Sequence, residues 1–133
     1  MALALPVLSV VALGIIDVST CYSAQMSIQQ AAARSLERLQ TSNQRLDFSY
    51  VKTEAAAAAG VPETQVDVQN WLECNNARQT TYNQVCPTGQ TSARYVQVTI
   101  NSTYTPYFTY SPLGARLANG KVALTASSAV RVQ

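Results

Sequence analysis

No charged side chain precedes Asp17, and after Asp17 none follows until Arg34. The run Met1–Ile16 (MALALPVLSVVALGII) carries a single hydroxyl, that of Ser9. As a helix it rises about 24 Å at 1.5 Å per residue, short of a roughly 30 Å hydrocarbon core. A helix apolar on every face needs a large protein around it or a bilayer. With 133 residues the chain suits one domain with a modest core, so a bilayer is the better cover. Pro6, expected inside this helix, is better tolerated where lipid and neighbouring helices satisfy the freed backbone group. A cleaved secretory signal would ask for a basic start, which is missing. Lipidation at Cys21 would use Val18-Ser19-Thr20-Cys21, where the threonine fits poorly.

The stretch after Asp17 continues at helical spacing. Val18, Cys21, Ile28, Ala32, Leu36 and Leu39 share one side, with Gln25 interrupting the stripe. Gln29, Gln30, Arg34, Glu37 and Arg38 populate the rest, and Arg34 and Glu37 are spaced for a weak exposed ion pair. One long helix is expected, membrane-anchoring over 1–17 and amphipathic over 18–41. A second helix is expected over 46–59, where five alanines supply propensity or, alternatively, a close packing face. Gly60 and Pro62 end it.

Strand-like alternation follows over about 65–74, 93–104 and 121–133. Val66 and Val68, with Leu72 or Trp71, turn inward in the first segment; Val96, Val98 and Ile100 do so in the second. Val122, Leu124, Ala126, Val130 and Val132 do so in the third, which the Asn119-Gly120 turn introduces. Three antiparallel strands with one apolar face, covered by the amphipathic half of the long helix, make an α+β domain over 18–133.

The chemistry-bearing residue types are sparse. There is no histidine, which removes Ser-His-Asp and Cys-His machinery and most metal-ligand patterns. The seven acids are scattered and no glycine-rich loop cradles a phosphate, so neither an enzyme nor a cofactor is expected. Nine basic against seven acidic residues are too balanced for a nucleic-acid surface. Asn101-Ser102-Thr103 matches the glycosylation pattern, but inside an expected strand. Cys74 and Cys86 bracket a polar loop; with no CxxC, no histidine and Glu73 as the one nearby acid, a disulfide fits better than a metal site. Such a bridge suits a small exported domain and contributes on the order of 3 kcal/mol. Tyr104, Tyr107, Phe108 and Tyr110 cluster around Pro106 and Pro112, either as an exposed contact loop or as rings closing the core.

Leu3, Leu5, Pro6, Val7 and Leu8, then Gly14-Ile15-Ile16-Asp17, Tyr22, Ala24-Gln25 and Ala31-Ala32-Ala33-Arg34, form a pattern. It resembles the start of TadE-like proteins, minor pseudopilins of tight-adherence (Flp-type) pilus systems. The resemblance covers about the first third of the chain; beyond it only the Ala58–Pro62 junction and the Val-Arg-Val tail agree. It implies a pilin-like fold and a single-pass inner-membrane protein of bacteria, with its C-terminal domain in the periplasm or on the cell surface. It further implies pilus assembly, adhesion and biofilm formation. The implied partners are other pilin-like subunits, inner-membrane pilus assembly proteins and, given an upstream leader, a prepilin peptidase. The family's basic leader and its glutamate are not in this sequence, so the expected true start lies upstream of Met1. Thr20 stands where the family commonly has an arginine, and Asp17 is therefore expected to mark the membrane–water boundary. The alternative to the pilus reading is a periplasmic binding module exported by a signal peptide or lipid anchor, using the tyrosine loop for ligands.

Overall fold

The computed structural model describes residues 4–41, 48–108 and 119–132. Helix α1 runs unbroken over Ala4–Thr41, and α2 over Ser49–Ala59. A 3-10 turn, Glu63–Gln65, leads into strand β1, Val66–Cys74. Strands β2 (Ala77–Arg78), β3 (Ser92–Tyr104) and β4 (Val122–Arg131) complete one antiparallel sheet in the order β2-β1-β3-β4. This is an α+β architecture, a long N-terminal helix on a small curled antiparallel sheet, consistent with a pilin-like fold. The expected three strands are present within a residue or two of their expected bounds, and a short fourth is added.

The helices and one sheet face enclose the core. Val96, Val98 and Ile100 of β3 are fully buried, and Val66, Val122, Leu124 and Ala126 lie on the same face. Against them α1 packs Cys21, Ile28, Ala31, Ala32, Leu36 and Leu39. Two corrections concern this helix face. Val18 is 40% exposed, and the buried stripe begins instead at Asp17, a quarter-turn away. Gln25 is no gap in the packing: its side-chain amide donates to the Thr125 carbonyl at 2.8 Å. The Val132 N–H pairs inward with the Arg94 carbonyl, so odd residues of β4 point their backbone groups away from β3. Gln25 therefore satisfies an edge carbonyl that β3 cannot reach.

Helix α2 buries Val51, Ala55 and Ala56. Buried in one core cluster with Ala31 and Ala32 of α1, these alanines supply a packing face as well as propensity. Of the residues expected to open α2, 46 and 47 lie outside the described residues. Gly60 ends the helix at φ 66°, and its N–H together with that of Val61 closes onto the last-turn carbonyls. The ion pair at this end is Arg38 with Glu54, which ties α1 to α2, rather than Arg34 with Glu37.

Beyond the helices, the sheet's far end is covered by the segment after β2. Cys74 and Cys86 are disulfide-bonded, with Cα atoms 5.6 Å apart. Asn75 and Asn76, both at positive φ, make the tight turn from β1 to β2. Arg94 then holds the loop, donating to the carbonyls of Tyr82 and Gln84, while the Tyr82 ring meets Phe48 edge-on. Leu72 is fully buried beneath, and Trp71 turns to the opposite face, stacked on Tyr95 with Arg78 over its ring.

Candidate functional site

Asp17 marks where α1 changes character. Below it Leu5, Val7, Leu8, Val10, Val11, Leu13, Ile15 and Ile16 are all at least 40% exposed, whereas Asp17 itself is fully buried. Three donors from the end of β3 and the residues after it converge on its carboxylate. The Tyr104 hydroxyl donates to Oδ1 at 2.7 Å, the Tyr107 N–H to Oδ1 at 3.1 Å and the Phe108 N–H to Oδ2 at 3.4 Å. Burial first, then the hydrogen bond to Asp17 and its negative charge, push the Tyr104 phenol up to about 12. The phenol thus stays a donor at any physiological pH. Asp17 stands where the uncovered half of α1 meets the packed half, as a buried acceptor joining α1 to the sheet rather than as a solvated charge.

The aromatic cluster divides. Tyr104 is half-buried and serves Asp17, which favours the core-closing alternative for that ring. Tyr107 and Phe108 are 72% and 38% exposed, and Tyr110 lies outside the described residues. Phe108 borders a cavity of about 190 Å³ shared with Val10, Leu13, Gly14 and Asp17.

Of the other expected assembly residues, Leu5, Ile15, Ile16 and Tyr22 are exposed, and Gly14 is half-buried. Pro6 lies inside α1, near the start of its described residues. Ser9 and Thr20 return their hydroxyls to the carbonyls of Leu5 and Ile16, at 2.9 and 2.8 Å, which makes both compatible with an apolar surround. A second surface went unnoticed in the sequence. Val11, Ile15, Val18, Tyr22 and Met26 are exposed at spacings of three and four, and the first four border with Gly14 and Ser19 a shallow apolar groove that passes the level of Asp17. The three- and four-residue spacing of these apolar positions is the signal for it in the sequence.

Among the described residues, no group of three or more His, Cys, Asp or Glu side chains is placed to hold a metal. The Asn101 side chain accepts from the Thr125 hydroxyl across the β3–β4 ladder. No protein-family model, curated protein or solved structure matches this chain.

Proposed function

We propose that this chain is a membrane-anchored, pilin-like assembly subunit, of the kind found as minor pseudopilins in tight-adherence pili. The observation that carries the reading is the apolar stripe Val11–Ile15–Val18–Tyr22–Met26. A helix serving only as an anchor has no use for apolar groups above the bilayer, yet Val18, Tyr22 and Met26 stay uncovered there. A second helix laid along the stripe would cover them, and subunits could exchange lipid contacts for helix contacts without unfolding. Helix α1 is long and apolar enough to cross a membrane. The Cys74–Cys86 bridge supports an oxidising compartment for the domain, hence the periplasmic side of a bacterial inner membrane. Adhesion and biofilm formation would follow from membership of such a pilus, and partners would be other pilin-like subunits and the inner-membrane assembly proteins.

Cysteine cross-linking in membranes tests this. In a Cys21→Ala background, Val18→Cys and Tyr22→Cys should give linked copies or links to a pilin-like partner, whereas Ser23→Cys, exposed on another face, should not. Equal yields at all three positions would remove the assembly reading. A mature chain found without α1, or lipidated on Cys21, would favour an exported binding module instead.

A further inference from the structure

The exposed tip formed by Tyr107 and Phe108 sits in an unusual place for two aromatic rings. Their backbone N–H groups are bound to the Asp17 carboxylate, so neither needs water. Phe108 lines one cavity with Leu13 and Val10, the latter two turns, or about 10 Å, below Asp17 along the helix. The tip therefore hangs from the domain alongside the part of α1 that is apolar on all sides. Any aqueous layer around it would also have to wet Val7, Val10 and Val11, exposed between 54% and 71%.

We infer that the Tyr107–Phe108 tip inserts into the headgroup–acyl boundary of the bilayer that α1 crosses, and so sets how deep and how rotated the domain sits. The occupant is the phospholipid interface itself, argued from continuity with the spanning segment; the inference thus rests on the membrane reading of α1. An aromatic with an apolar body and a polar edge fits that layer, and Tyr107 supplies one. The tip lies on the strand end opposite Trp71. Tyr104 follows Tyr95, the cross-strand partner of Trp71, by a span of about 30 Å of extended chain. Trp71 therefore marks the part of the sheet away from lipid.

The chain's single tryptophan makes the test direct. In the full-length chain carrying Trp71→Phe, Tyr107→Trp and, separately, Phe108→Trp are reconstituted into phosphatidylcholine–phosphatidylglycerol vesicles. Both replacements keep the backbone bonds to Asp17. Expected are blue-shifted emission, loss of about half the signal to lipids brominated near the headgroup, and little loss to aqueous iodide. Trp71 in the otherwise unaltered chain should show the reverse. A chain that floats with the vesicles while both new tryptophans stay in water overturns the inference and leaves the membrane reading intact. A chain that does not float overturns both. Shielding that disappears on dilution with excess lipid assigns the tip to a second copy, which also overturns it.

Discussion

Asp17 gathers a phenol and two backbone amides from a segment about 90 residues further along the chain. Replacing it with alanine leaves all three donors facing a void, each with its own desolvation cost. Asp17→Ala should lower stability by about 3 kcal/mol, read as a reduced unfolding midpoint in detergent. The Tyr104 contact gives a pH signature. An unfolded tyrosine ionises near 10, this one at about 12, so the contribution is complete below pH 10 and is lost as pH rises to about 12. The denaturant midpoint should fall more steeply across that window in the wild-type chain than in Tyr104→Phe. Asp17 is legible as a boundary because it is the one charge in a long neutral stretch. Its donors were hidden, since nothing local in TPYF marks a backbone amide as aimed at a distant helix.

At the scale of elements, alternation of Val and Ile with polar residues located β1, β3 and β4 to within a residue or two. Period-2 burial leaves little freedom in such segments. The β1–β2 turn was missed because Asn75-Asn76 carries the positive-φ signal in two asparagines, without the glycine that usually draws attention. The disulfide was legible by elimination of metal ligands, whereas its loop's role over Leu72 depends on Arg94 and Tyr82, which spacing does not connect. Replacing Cys74 and Cys86 by serine should cost about 3 kcal/mol. Hydrogen exchange should localise the early loss to β2 and the 79–86 loop, with β3 and β4 still protected. The α1–α2 contact responds to size. Ala55→Leu, at a site with no exposure, should destabilise by about 1–3 kcal/mol through overpacking, whereas Ala57→Leu, exposed on the same helix, should be near neutral. Thermal unfolding of the two variants side by side separates these outcomes.

On the scale of the whole molecule, α1 divides in two at Asp17. Its lower half is exposed on all sides and its upper half is the main wall of the core. Paired substitutions Leu5→Arg and Leu8→Arg, about 18 and 14 Å below Asp17 along the helix, should each add up to about 2.5–3.5 kcal/mol to insertion. Carbonate extraction of membranes should then release a chain that normally resists it, with the Cys74–Cys86 bridge still formed. Amphipathic patterning made this division plain in the sequence. What patterning could not supply is the rigid join between the halves, which is made by side chains from β3 and beyond.

Because α1 has no break between Asp17 and Thr41, the upper segment works as a lever arm about 36 Å long, with its foot at Asp17. The sheet is fastened along this arm, at its foot by Tyr104 and further up by Gln25. A change of about 10° in the tilt of the buried half would carry the far end sideways by about 6 Å. In a chain anchored as proposed, bilayer thickness would thereby be converted into lateral position at the outer end of the domain, with no hinge in α1 to absorb it.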